Sequence, residues 1–432
     1  MKRVVITGMG VVSPLGTGTA RFFDGLADAR SGIRPIQAFD ATSFPTRIAG
    51  EVPDLSSEGI SLPSELAPAL RRDRKALFAM VAGREALHGA FAGRVPKQVA
   101  QRMGAFVATG LEIFHARDLA PHVLGGRLDP VALAAAAQAA PLAAHLEIPS
   151  DLAVRCLVRE TGIAGPVAIN VSACAAGTQA VGEALWALRD GAVDAALVGG
   201  YDSMVNPLGI GGFSLLGALS QSNHLGPAAS RPFDKDRDGF VLGEGAAFFV
   251  LEAWESAQAR RATVLAEVLG YGSSLDAYRV SDPAPDQSGA VAAMRAALAD
   301  AQVAPEDIDY VNAHGTGTRK NDPAETRAIR EVFGAHADRL PVSSTKSQIG
   351  HLIGAAGAVE VAAAIFALTR QIVPATINLA TPDAECDLDY VPGCPRPATV
   401  RRVLSNSFGF GGQNACIVLG DPELPPARSH HV

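Results

Sequence analysis

Two stretches of this chain, 180 positions apart, read as versions of one helix. AAGTQAVGEALWAL (Ala175–Leu188) aligns without gaps to AAGAVEVAAAIFAL (Ala355–Leu368). Seven of the fourteen positions are identical, and the Leu185/Ile365 and Trp186/Phe366 pairs are conservative. Each copy follows a β-run and a polar turn. Two Ala-rich helices can also match through composition alone, so the repeat by itself leaves both readings open. A true repeat implies two similar α/β halves, 1–260 and 261–432, meeting near residues 252–265. Each half then aims a helix N-terminus at a shared centre.

The rest of the chain suits that architecture. Short β-branched runs alternate with Ala-rich helical stretches, as in RVVIT, GAFVAT, PVAINV, DAALVGG, AAFFVLE, IDYVNAH and LPVSST. Such alternation predicts an α/β chain whose sheets are covered by helices. With 432 residues, 48% of them hydrophobic, the chain can bury a large core. Its formal net charge is −7 and it has no long basic stripe, so nucleic acid is set aside as a partner. No run of about 18 continuous apolar residues predicts a membrane span. The opening MKRVVITGMGVVSPLG reads as a first strand and turn rather than a signal peptide. Five cysteines without paired CxxC spacing argue against a disulfide framework and against structural zinc. A reducing cytoplasm fits best. TGMGVVSPLG lacks the third glycine of a dinucleotide fingerprint, and no acidic residue follows about 20 positions on. The Ala-rich LDPVALAAAAQAAPLAAHLEIP looks helical.

One cysteine sits where chemistry is favoured. In INVSACAAGTQAVGEALWAL, Cys174 closes a strand and opens a helix, among the small residues Ala173, Ala175, Ala176 and Gly177. Most lone cysteines are small hydrophobic filler. Here the positive field of a helix N-terminus is expected to lower the thiol pKa, and the small neighbours leave room for a substrate. A covalent thioester is the natural use of such a sulfur. His314, in VNAHGTGTRKNDPAE, and His351, in SSTKSQIGHLIGAAG, both stand beside Gly turns in the half opposite the cysteine. A single histidine at a strand end is as often structural as catalytic; two in equivalent settings weigh more. Near a helix N-terminus a neutral His351 can donate to a developing oxyanion. Lys346, in an otherwise uncharged polar segment, needs a carboxylate if buried, and Glu325 is the candidate. The loop SNSFGFGGQNA (Ser405–Ala415) offers backbone N–H groups and a mobile aromatic, or simply anchors a turn.

Taken in this order, VSACAAGTQAVGEAL, RPFDKDRDGFVLGEGA, NAHGTGTRKNDPAE, SSTKSQIGHLIGAAGAVE and SNSFGFGGQNA resemble the β-ketoacyl-(acyl carrier protein) synthases, over almost the whole chain. The similarity is greatest to the elongating, Cys-His-His type. The resemblance implies the thiolase fold: two βαβαβαββ halves in a five-layered α-β-α-β-α sandwich, usually dimeric. It implies Cys174 as the acylated nucleophile, with His314 and His351 binding the malonyl thioester carbonyl. Lys346 would position that network, with Glu325 as its partner. Backbone N–H groups of Cys174 and Phe410 would form an oxyanion hole, with Gly409 and Phe410 in the gating loop. Leu111 and Glu112, with Phe408, would shape the acyl pocket. The substrates ride on the phosphopantetheine of an acyl carrier protein, and neither a cofactor nor a metal is implied. Arg71, Arg74 and Lys75 of LRRDRKALF, at i, i+3, i+4 spacing, would dock that carrier; a solvated helix face is the plainer reading.

Several positions depart from the commonest fatty-acid pattern. Glu112 stands where a second small residue is usual, Gln413 replaces a usual threonine, and the stretch from Arg117 to His145 is longer. These leave acyl chain length and pathway open between fatty acid and polyketide or polyene synthesis. They also leave open a homodimer or a heterodimer with a chain-length partner. A thiolase would need a second cysteine as base, and Cys416 lies beyond the glycines in a β-run. A Cys-His hydrolase would not need two histidines with a Lys/Glu pair.

Overall fold

A computed structural model gives the fold and describes residues 2–53, 72–111, 120–139 and 149–424, together with 55, 60, 64 and 67. In chain order its main strands are β1 (Val4–Ser13), β2 (Met103–Thr109), β3 (Val167–Asn170), β4 (Ala195–Ser203) and β5 (Glu244–Ala253). They continue as β6 (Ala266–Leu275), β7 (Tyr310–Asn312), β8 (Val342–Ser343), β9 (Arg402–Gly409) and β10 (Gln413–Gly420). All seven strand segments expected from the sequence are among them. The strands form one continuous sheet, ordered β8-β7-β9-β10-β6-β1-β5-β4-β2-β3. From either end the pattern is the same. β3, β2 and β4 run parallel, followed by antiparallel β5 and β1. β8, β7 and β9 run parallel, followed by antiparallel β10 and β6. The two ladders join where Val4, Val5 and Ile6 pair antiparallel with Val268, Glu267 and Ala266.

Three separate cores show how helices cover this sheet. Helices α1 (Arg74–Phe91) and α2 (Leu152–Thr161) pack on the outer face of the first ladder, where Phe78, Leu157, Val107 and Phe248 share one core. Helices α3 (Ala176–Arg189), α4 (Ser288–Ala301), α5 (Asn321–Phe333) and α6 (Ala356–Arg370) supply the rest. The outer face of the second ladder is sealed by α4 and α5 through Met294, Leu298, Ile329 and Val418. Between the ladders lie α3 and α6, with Val181, Leu185, Val359, Ile365, Phe249 and Ile417. Successive strand residues point to opposite faces, so Phe248 and Phe249 enter different cores, as do Ile417 and Val418. The result is the five-layered α-β-α-β-α arrangement. Strands covered on both sides read as near-continuous apolar runs, as AAFFVLE does.

The repeated segments are the central pair α3 and α6. Their glycines meet: a Cβ on Gly177 would lie 2.5 Å from the Ala358 nitrogen, and one on Gly357 would lie 2.6 Å from the Thr178 nitrogen. Each helix is entered through a 3-10 turn, Ala173–Ala175 or Ile353–Ala355, whose first residue has positive φ, 52° at Ala173 and 47° at Ile353. Among the described residues one stretch, Ile353–Arg370, is long and apolar enough to cross a bilayer; it is the buried central helix with its lead-in turn. The Ala-rich segment is helical as expected over Pro130–Ala139, after a small hairpin of Val123–Leu124 with Arg127–Leu128.

Candidate active site

The turn between β3 and α3 buries Cys174 almost completely. Gly409 lies directly over it, and a Cβ there would stand 3.2 Å from the backbone nitrogens of Cys174 and Ala175. Any side chain at 409 would cover the Cys174 N–H. The Phe410 N–H donates to Sγ. The expected depression of the thiol pKa is not what burial allows. Desolvation pushes the thiol up to about 11, against the opposing pull of the Phe410 N–H and the Lys346 charge.

Both predicted histidines reach this sulfur from the other half. His351 follows the short helical turn Lys346–Ile349, and its Nε2 lies 3.1 Å from Cys174 Sγ. The Ile353 N–H donates to Nδ1 at 3.3 Å, so the neutral ring carries its proton on Nε2, facing the sulfur. His314, just beyond β7, lies with its ring centre 5.2 Å from that of His351, nearly perpendicular. Lys346 Nζ donates to the His314 carbonyl at 2.6 Å and approaches Nδ1 at 3.4 Å. That leaves Nε2 of His314 as the second proton-bearing nitrogen. Burial first, then the Lys346 charge, lowers both imidazoles well below the usual histidine range, with His351 adding to the effect on His314. Both are neutral at neutral pH.

The carboxylate expected beside Lys346 is a different one. Lys346 Nζ is paired with Glu360 on α6, and both groups are buried. Burial pushes the Glu360 carboxyl up to about 7, with Lys346 opposing. Glu325 instead accepts the N–H groups of His314 (2.8 Å) and Gly315 (2.7 Å), and the Asn406 side-chain amide (3.1 Å). It shapes the histidine turn without touching the lysine. The sequence held a signal for Glu360: it is the sole charge in AAGAVEVAAAIFAL. An isolated charge on an apolar central helix requires a partner.

A cavity of about 330 Å³ opens onto Cys174, His314, His351, Phe408, Gly409 and Phe410. Thr316, Thr318, Arg319 and Lys320 also line it. The Phe408 ring is tilted against His314 at 6.0 Å, and Phe410 stacks on Phe213 at 6.1 Å. Sγ and a ring nitrogen from each histidine lie within 4.8 Å of one another. They can converge on one carbonyl oxygen; a cation would meet the Lys346 ammonium behind His314. Cys416 lies outside this cavity, buried in β10 with Sγ 3.1 Å from Asn406 Oδ1, and burial holds its thiol well above the usual range. It cannot serve as a thiolase-type base.

Other predicted residues are placed elsewhere. Leu111 is 69% exposed and is not in the cavity wall; Glu112 and Arg71 lie outside the described residues. Of the expected docking residues, Lys75 is corrected. Lys75 is fully buried, with Nζ donating to the Leu111 carbonyl at 2.6 Å and lying 4.0 Å from Asp73. Arg74 is paired with Glu244 at 2.8 Å and donates to the Val52 carbonyl. Helix α1 begins at Arg74, which keeps a partly exposed side chain, while its neighbour Lys75 points into the fold.

Fold and site together define an enzyme with a buried cysteine served by two neutral histidines at the junction of duplicated α/β halves. Comparison with known proteins makes the class specific. Residues 1–257 match the beta-ketoacyl synthase N-terminal domain and residues 265–380 the C-terminal domain. The chain is 41% identical to 3-oxoacyl-[acyl-carrier-protein] synthase 2 of Coxiella burnetii, covering 97% of this chain and 98% of the relative. It is 41% identical to the protein of that name from Synechocystis sp., covering 96% and 97%. Among solved structures, a beta-ketoacyl synthase from Burkholderia phymatum superposes with TM-score 0.87 at 33% identity, covering 97% of this chain and 99% of that one. The ishigamide ketosynthase/chain length factor gives 0.84 at 37%, with the same coverage. A type II PKS ketosynthase solved with its acyl-carrier protein gives 0.82 at 31%, covering 98% and 100%. The chain belongs to the beta-ketoacyl synthase family, and the thiolase-like fold expected from the motifs is the one observed.

Proposed function

We propose that the protein condenses an acyl group with a malonyl thioester, both delivered by an acyl carrier protein, to give a 3-oxoacyl thioester. The observation that carries this is the convergence of one thiol and two Nε2–H donors on a single small space. In the first step the acyl carbonyl oxygen lies between the N–H groups of Cys174 and Phe410. Sγ bonds to the carbonyl carbon, and the carrier thiol departs with the proton that Sγ gave up. Thioester exchange keeps the acyl group activated, so no further energy source is needed. In the second step the malonyl thioester oxygen accepts from His314 and His351. Carbon dioxide leaves, and the electron pair of the broken C–C bond forms an enolate held by those two donors. The enolate carbon attacks the acyl carbonyl, and Cys174 departs as a thiolate that takes one proton from solvent, the proton the overall condensation consumes.

Lys346 works through His314: it keeps Nδ1 as an acceptor and therefore Nε2 as a donor. No step calls for a metal or a redox cofactor. Similarity to the ishigamide ketosynthase/chain length factor supports a specialised polyketide or polyene pathway, with a partner subunit in place of a second copy, beside general fatty acid synthesis. Residues 1–260 and 261–432 act as one catalytic unit, with the nucleophile in the first and both histidines in the second. A cytoplasmic enzyme fits this chemistry.

Incubation with radiolabelled acyl-carrier thioester, followed by peptide mapping, is expected to place the label on Cys174. Cys174→Gln is expected to abolish condensation while retaining malonyl decarboxylation. Label on another residue sinks the reading; loss of both activities in the variant would show the histidine roles to be wrong.

A further inference from the structure

The two halves present matching turns before their central helices, but the turns face different groups. In the first half the Cys174 N–H looks toward Gly409, at the end of β9. In the second half the equivalent position is Gly354, and its N–H is already taken: it donates to Asp202 Oδ2, near the end of β4, at 2.8 Å. Asp202 is 1% exposed. Its other oxygen, Oδ1, is buried with no hydrogen-bond partner among the described residues. The packing around it is tight, since a Cβ on Gly110 would lie 2.3 Å from each Asp202 oxygen. Burial works against the ionised form of Asp202 and the Lys75 ammonium, which donates to the Leu111 carbonyl, works for it. A buried carboxylate with one unused oxygen is costly unless its position is required.

What that position secures is the turn Ile353–Ala355. Its first N–H, from Ile353, fixes the proton of His351 on Nε2, and the next N–H is the one Asp202 holds. Ile353 is kept at φ 47°, a conformation that L-residues with branched side chains rarely adopt unless the surroundings impose it. We infer that Asp202 is a positioning residue for the condensation: by anchoring the Gly354 N–H it holds the Ile353 turn that aims Nε2–H of His351. This rests on the role proposed above for His351. It adds that one half of the duplication uses its elbow for chemistry and the other uses the equivalent elbow as a mount for the histidine.

The test separates the two half-reactions in the full-length enzyme. Asp202→Ala is expected to slow malonyl-carrier decarboxylation and condensation by about 10- to 100-fold, the scale set by small misplacements of a catalytic group. Acyl transfer to Cys174 should stay within about threefold, because the oxyanion donors Cys174 and Phe410 are untouched. Asp202→Asn, which keeps an acceptor at the same reach, should recover most of the lost rate. If Asp202→Ala does not fold, Asp202→Ser, too short to reach Gly354, gives the same comparison. Decarboxylation within threefold of wild type in a folded Ala or Ser variant overturns the inference. So does an equal loss of both half-reactions, or an Asn variant no better than Ala. A wild-type enzyme that neither loads Cys174 nor decarboxylates would instead overturn the proposed function.

Discussion

At the residue scale the decisive quantity is the state of the sulfur. Small neighbours and a helix N-terminus made Cys174 look like a resting thiolate. Enclosure reverses that, because burial removes the water that would solvate the negative charge. Sγ keeps its proton until a substrate arrives. Carbamidomethylation of Cys174 by iodoacetamide, read by intact mass, is therefore expected to accelerate continuously from pH 7 to pH 9. A rate already flat at pH 7 would show a thiolate at rest. The same dryness keeps the histidines neutral, so they donate hydrogen bonds rather than carry charge. Lys346 shows the limit of reading a site from residue types. A buried lysine demanded a carboxylate, and two were within plausible reach in sequence. Glu325 is on α5 and turns back to cap the backbone of His314 and Gly315, whereas Glu360 projects from α6 toward the ammonium.

At the element scale, the crossing of α3 and α6 fixes the site. The helices touch at Gly177 and Gly357, and this brings the Cys174 turn and the Ile353 turn into one space. Gly177→Val would drive a branched side chain into the Ala358 backbone, which has no room to yield. We expect a loss of about 3 kcal/mol or more in denaturant unfolding, the upper range for overpacking. Gly212→Ala, inside the helix Pro207–Leu215 where nothing lies within 4 Å of the added carbon, is the control and should leave stability unchanged or raise it by up to about 1 kcal/mol, since alanine favours the helix over glycine. A small effect at Gly177 would mean that the helices can separate without cost. Helix α1 teaches the opposite lesson. The i, i+3, i+4 spacing suggested a basic docking face, but Lys75, in the first turn of the helix, enters the fold. There Lys75 serves as an internal tie to the end of β2.

For the whole molecule, neutral buried histidines have a cost that appears in acid. A histidine whose folded pKa lies below its unfolded value of 6.5 binds fewer protons folded than unfolded, so stability falls as pH drops below 6.5. The decline steepens as pH drops further below 6.5, because the unfolded histidines become fully protonated while the folded ones stay neutral. Asp202, raised to about 6, and Glu360, raised to about 7, act with the opposite sign: their contribution is present at low pH and lost as pH rises through those values. Comparing melting temperature against pH for wild type and for His314→Asn/His351→Asn isolates the histidine part. The variant should show a shallower decline between pH 6.5 and pH 5, and identical slopes would refute the assignment.

What the sequence determined by itself is local and periodic. The seven strand runs, the helical repeat and the Cys-His-His set could all be read in order, because side-chain alternation, small-residue turns and motif spacing are written within a few residues of each group. The repeat, ambiguous as composition, becomes a duplicated strand order once its ladders are seen. Tertiary structure decided whatever depends on enclosure or on partners far apart in the chain. It decided the burial that raises the thiol pKa, the choice of Glu360 over Glu325, the inward turn of Lys75, and the contact of Asp202 with Gly354 across 152 positions. A charge is priced by its surroundings, and those surroundings exist only after both halves have closed around the same centre.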